Sequence, residues 1–126
     1  LKSSEAAINE RYVAPVRETF CKYAAIVEKT LGEKIVMDSD FNVKFEKGGE
    51  TRSEKHWSDG ERAICALCFR LSLIDNMYGA NLPFIVMDDP FSPLDENHMK
   101  KTASLISEIA AKRQILYFCP HESRKI

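Results

Sequence analysis

Glycine is scarce in this 126-residue chain, with five in all. Gly32, Gly48, Gly49, Gly60 and Gly79 are these, and none precedes a lysine. The pattern G-x-x-x-x-G-K-[ST] is therefore missing, and with it the loop that cradles nucleotide phosphates. No apolar run approaches the length of a membrane span, and no signal-peptide pattern opens the chain. Charge of one sign is missing too. Lys and Arg number 18 against 19 Asp and Glu, a net charge of -1, which excludes a strongly basic nucleic-acid module. There is no internal repeat and no low-complexity tract. The four cysteines include one C-x-x-C, Cys65 and Cys68, and no second pair follows. Both lie in an apolar helical run, so they read as small core hydrophobes of a reducing cytosol rather than as zinc ligands. The first residue is Leu1 rather than Met, inside a polar helical pattern, and the expectation is a piece of something longer.

What remains is an ordinary globular balance, 44% hydrophobic and 29% charged, enough for one modest domain. Ile8, Tyr12, Val16, Phe20, Tyr23, Val27 and Leu31 recur at spacings of three and four, predicting helix over 3–31, kinked or restarted at Pro15 and stopped near Gly32. The stripe reads as an amphipathic helix packed on its own domain, with any coiled coil beginning upstream. Residues 34–38 and 41–45 read as a β-hairpin, and 46–55, with Gly48-Gly49, as a charged loop with at most a short third strand. Ser58 opens a helix to about Met77. Phe84–Met87 and Ile115–Cys119 are continuous apolar runs, predicted as parallel strands buried on both faces. A helix over about 95–111 separates them, so the second half is α/β.

Both strands end in polar groups, Asp88-Asp89 and His121. Ligands of open α/β sheets bind beyond the carboxyl ends of strands. If these strands are parallel neighbours, the three side chains share one rim, and the set suits Mg²⁺ and phosphate: one carboxylate for the metal, one for an attacking water, an imidazole for a phosphate oxygen. Two adjacent carboxylates also repel and invite a cation. Ser58-Asp59-Gly60-Glu61 reads as a capping box, with Ser58 as N-cap and Glu61 at N3, which presents a positive helix end to an anion. Ser92-Pro93-Leu94-Asp95 reads as a second helix start, with Ser92 as N-cap and Pro93 at N1. His98 reads as a solvated side chain. Lys100-Lys101 and Lys112-Arg113 read as solvated faces, and Arg124-Lys125 as a thin basic cluster within reach of DNA.

In order and spacing, Trp57–Glu61, Phe84–Pro90, Ser92–Asp95 and a strand ending in His121 resemble the C-terminal half of an ABC-type ATPase head, nearest the SMC/RecF-like branch. The resemblance implies an α/β fold: the C-terminal lobe of a P-loop ABC ATPase head, mostly parallel strands flanked by helices, with an N-terminal helix and a β-hairpin. It divides the chain into a helical arm entering the head (1–33), a hairpin and loop (34–55) and the motif-bearing lobe (56–126). It implies ATP and Mg²⁺ as cofactors. Ser58 and Gly60, with Glu61, stand in the signature motif that contacts ATP held by a partner head. Asp88 stands near Mg²⁺ in the Walker B strand, Asp89 where a carboxylate polarises water, Asp95 in the D-loop of the dimer interface, and His121 at the switch histidine that senses the γ-phosphate. Partners implied are the Walker A half of the same protein, a second head and DNA, with no membrane, in the cytoplasm.

Three positions depart from the family pattern. Asp59 replaces a glycine, Trp57 a smaller aliphatic, and Asp89 the commoner Glu, one methylene longer. Two other readings compete: an autonomous metal-dependent phosphohydrolase built on Asp88, Asp89, Asp95 and His121, and an assembly module that has lost ATPase function.

Overall fold

A computed structural model describes residues 2–47, 49–52 and 54–126. Leu1 and Gly48, both used above, lie outside the described residues. The chain runs α1 (Lys2–Val27), α2 (Lys29–Lys34), β1 (Ile35–Met37), β2 (Val43–Lys47), β3 (Glu50–Arg52), a 3₁₀ turn, α3 (Asp59–Tyr78), β4 (Ile85–Asp88), α4 (Glu96–Ala110), β5 (Ile115–Phe118) and a last 3₁₀ turn, Glu122–Arg124.

The long helix α1 is the packing centre: it contacts α2, α3 and α4. Its stripe is buried from Val13 onward, through Val16, Phe20, Tyr23, Ala24 and Val27, whereas Ile8 and Tyr12 stay exposed. Phe20 is fully enclosed and meets the edge of Phe69 from α3. α3 contributes Ile64, Cys65, Cys68 and Leu71, and α4 contributes Leu105, Ile106 and Ile109, all at helical spacing. The cysteines are thus core residues, and burial pushes the Cys68 thiol well above its usual range.

The helix does not break where proline predicted. Pro15 sits inside α1, and the interruption comes at Glu28, whose backbone is extended. Gly32 lies within α2 rather than ending a helix. A proline removes one intrahelical bond, but the flanking residues here are held by the packing of the buried stripe.

Strands β1, β2 and β3 form an antiparallel sheet in that order, with Ile35 opposite Phe45 and Phe45 opposite Arg52. The third strand is present where a loop was the main expectation. Phe41, expected in the strand, sits in the turn at φ +62°. Asp38 organises that turn by accepting from the backbone of Asp40 and Asn42, and Phe41 packs on Phe69.

β4 and β5 pair in parallel, in register from Ile85↔Ile115 to Asp88↔Phe118. The expectation of burial on both faces fails. Ile85 and Met87 face the helices, but Val86 (55% exposed), Leu116 and Phe118 (59%) face away, uncovered by any described residue. Burial alternates along both strands, so among the described residues one face of the sheet is covered and the other is open. No described helix is long and apolar enough to cross a membrane.

Candidate nucleotide site

The parallel pairing decides the geometry. Because Asp88 is level with Phe118, the chain leaves both strands at the same edge, and Asp89 donates its backbone N–H to the Phe118 carbonyl at 2.8 Å. Asp88, Asp89 and His121 therefore emerge together at the carboxyl rim, as the strand ends predicted. Asp88 points to the uncovered face, is exposed, and makes no side-chain hydrogen bond or ion pair among the described residues. His121 is exposed as well.

Asp89 is different. It sits at φ +42°, which aspartate tolerates better than most residues. Its carboxylate is 20% exposed and its Oδ2 accepts from Arg124 Nη1 at 2.5 Å. Oδ1 is buried and accepts nothing among the described residues. Arg124, read as part of a thin basic cluster within reach of DNA, rises from the last 3₁₀ turn and pairs with Asp89, while Lys125 pairs with Glu122 at the surface. No sequence pattern marks this contact, because it joins residues 35 positions apart.

The turn after β4 carries the third feature. Ser92 N–H bonds the Asp89 carbonyl and Leu94 N–H bonds the Phe91 carbonyl, while Phe91 is buried beneath them. Helix α4 then begins at Glu96, with Asp95 as N-cap accepting from the His98 backbone. The expected cap, Ser92 with Pro93 at N1, is corrected: the two residues belong to the turn, because Asp95 offers the stronger acceptor three residues later. His98 is not simply solvated. Its Nδ1 lies 2.6 Å from Asp95, and its Nε2 lies 3.4 Å from Glu28 at the α1–α2 break. Hydrogen bonding to Asp95 comes first in raising the His98 pKa, and the His98 backbone N–H comes first in lowering that of Asp95.

Ser58 caps α3 in a complete capping box. Its Oγ accepts from Glu61 N–H, and Glu61 in turn accepts from Ser58 N–H at 2.8 Å. The Ser58 amide and the Glu61 carboxylate are thus engaged with each other. Gly60 packs against the other turn: a Cβ there would lie 3.7 Å from the Pro93 carbonyl and 3.8 Å from Leu94. The Ser58–Glu61 and Ser92–Asp95 turns are therefore neighbours in space. Trp57 is buried and meets Phe45 edge-on at 4.4 Å, fastening the first turn to the hairpin sheet. The Asp59 charge is answered by Arg62, one turn on, at 2.6 Å.

As a metal site, the rim offers one uncommitted carboxylate, Asp88. Among the described residues no group of three or more His, Cys, Asp or Glu is placed to hold an ion. That donor set fits Mg²⁺ of the kind that keeps waters, takes one or two carboxylates and completes its shell with substrate phosphates.

No family model matches the chain. It is 24% identical over 110 residues to the DNA double-strand break repair Rad50 ATPase of Methanocaldococcus jannaschii, covering 79% of this chain and 11% of that protein. It is 24% identical over 86 residues to the DNA repair protein rad-50 of Caenorhabditis elegans, covering 68% and 6%. The chain thus spans about a tenth or less of the length of these curated relatives. A solved structure from work on ATP-driven dimerization and DNA-stimulated activation of SMC ATPases superposes with a TM-score of 0.73 at 18% identity, over 94% of this chain and 75% of that one. The Smc head domain with an extended coiled coil, bound to the C-terminal domain of ScpA and derived from Pyrococcus furiosus, gives 0.65 at 17% identity, over 89% and 29%.

Sequence and fold agree on the class. This chain has the architecture of a segment of an SMC/Rad50-like ABC ATPase head.

Proposed function

We propose that this chain supplies the water-activating and partner-facing portion of an ATP-hydrolysing, dimerising head that serves DNA repair or chromosome maintenance. The observation that carries the reading is the convergence of the strand ends. One rim gathers Asp88, Asp89 and His121, and the Gly60 turn rests on the Pro93 turn beside it.

In this reading Asp88 is the carboxylate that would help to hold Mg²⁺. Bound with the nucleotide, that ion would neutralise phosphate charge. Asp89 orients the water and takes its proton as the water oxygen attacks the γ-phosphorus. The bond to the β–γ bridging oxygen then breaks, giving ADP and inorganic phosphate. His121 donates a hydrogen bond to a γ-phosphate oxygen. Ser58 and Gly60, on the helix cap that Glu61 closes, face ATP held by a second head, and Asp95 borders the same interface. The three regions 1–33, 34–55 and 56–126 would act as arm, hairpin and motif lobe.

The phosphate cradle, absent from this sequence, would come from a Walker A segment seated on the uncovered face of β4–β5, where Asp88 also points. DNA would be a further partner of the assembled heads. A self-sufficient metal-dependent phosphohydrolase is the weaker reading, because the rim offers one uncommitted carboxylate rather than a cage.

The test is reconstitution. Purified alone, the 126 residues should show no ATP turnover. Joined with the polypeptide bearing the Walker A loop, they should show turnover that Asp89→Asn reduces by roughly a hundredfold or more. Hydrolysis by the isolated chain, or full activity in the Asp89→Asn protein, would overturn the reading.

A further inference from the structure

The carboxylate that should accept a proton is already held. Arg124 Nη1 donates to Asp89 Oδ2, and the remaining oxygen, Oδ1, is enclosed. Apart from that bond, Arg124 is anchored among the described residues through its backbone. Its N–H donates to the His121 carbonyl at 3.1 Å, and its own carbonyl accepts from the Tyr117 hydroxyl at 2.8 Å. Tyr117 in turn packs its ring on Phe91, beneath the turn that follows Asp89. The guanidinium thus reaches across from the turn that starts just past His121 and ties the end of β5 to the end of β4.

We infer that Arg124 is a positioning residue that latches Asp89 in a resting arrangement and lets go when a nucleotide phosphate arrives beside His121. The inference rests on the reading of Asp89 as the carboxylate that takes the water proton. A carboxylate oxygen that already accepts a charge-assisted bond from a guanidinium has one lone pair fewer to offer a water proton. With Oδ1 buried, the oxygen left to meet a water is the one that Arg124 already occupies. A phosphate competes well for the same guanidinium, since its geometry matches the planar donor fork. The side chain is 25% exposed and rises from a three-residue turn, so it can swing without unpacking the core. The exchange makes release of the base depend on occupancy of the site.

The experiment compares Arg124→Ala, Arg124→Lys and Asp89→Asn in the full-length ATPase, with kcat and KM for ATP from steady-state phosphate release and thermal melts as a control. The latch predicts that Arg124→Ala raises kcat about tenfold, the strength of one charge-assisted bond. It also raises KM, because the phosphate loses a partner. Arg124→Lys, which keeps the charge but not the fork, falls between. A lost structural contact would not raise kcat and KM together. A kcat at or below wild type in Arg124→Ala, with its melt unchanged, would overturn the latch. Should that variant not fold, Arg124→Lys decides: a rate above wild type supports the latch, and one at or below wild type overturns it. If Asp89→Asn abolishes turnover while neither Arg124 variant gains rate, the latch fails alone. If Asp89→Asn remains active, both readings fail.

Discussion

The Arg113 side chain is 2% exposed and donates to Asp75, although beside Lys112 it reads as part of a solvated pair. Tyr23 donates to the other Asp75 oxygen, so one carboxylate on α3 joins α1 to the turn between α4 and β5. Burial first, then Asp75, pushes the Tyr23 hydroxyl far above its usual range. Removing the carboxylate strands a buried guanidinium whose Nε and Nη1 already lack partners among the described residues. Asp75→Ala should therefore cost about 3–5 kcal/mol in denaturant unfolding. The exposed Asp59–Arg62 pair stabilises little by comparison. His98 gives a pH-dependent counterpart. Its pKa is raised, so its bond to Asp95 contributes fully below the ordinary imidazole value of ~6.5 and is lost as pH rises through the raised one. The pKa of Asp95 is lowered, so its share is lost only when strong acid protonates it. The melting difference between wild type and His98→Gln should be largest in mildly acidic buffer and shrink toward alkaline pH. A difference that grows with pH would refute the pairing.

At the scale of elements, local rules set type more reliably than boundaries. The period of apolar residues was enough to identify α1, and Ser58 with Glu61 marked the start of α3 because a capping box is a local, self-contained structure. Pro15 misled because the rule that proline breaks helices assumes that nothing else holds the helix. Here the next three turns are pinned by Val16, Phe20 and Tyr23. The cost remains even though the helix survives. Pro15→Ala restores an N–H for the Arg11 carbonyl and should raise the melting temperature, by an amount equivalent to at most ~3 kcal/mol. An unchanged or lower melting temperature would mean that the first turns of α1 do not share in the cooperative fold. Asp95 displaced Ser92 as cap because two candidate acceptors competed, and only the path of the turn over Phe91 chose between them.

At the scale of the molecule, the uncovered β4–β5 face is the feature that sequence pattern could not show. Continuous apolar runs such as Phe84–Met87 look alike whether one face or two are covered within the chain. Val86, Leu116 and Phe118 form an exposed apolar strip beside unpaired strand edges, a surface that associates. The isolated chain should self-associate at micromolar concentration, and Val86→Lys combined with Phe118→Lys should shift it toward monomer in sedimentation velocity without lowering its melting temperature.

The amino-acid sequence by itself determined the three long helices, the β1–β2 hairpin, the two apolar strands, the capped start of α3 and the delivery of Asp88, Asp89 and His121 to strand ends. These follow from periodicity and turn chemistry, which act between near neighbours in the chain. The tertiary structure alone decided that the two strands are direct neighbours covered on one face, that the Gly60 and Pro93 turns touch, and that Arg113 and Arg124 reach Asp75 and Asp89. Such partners lie tens of residues apart, and a charged side chain carries no local sign of whether water or a distant carboxylate will satisfy it.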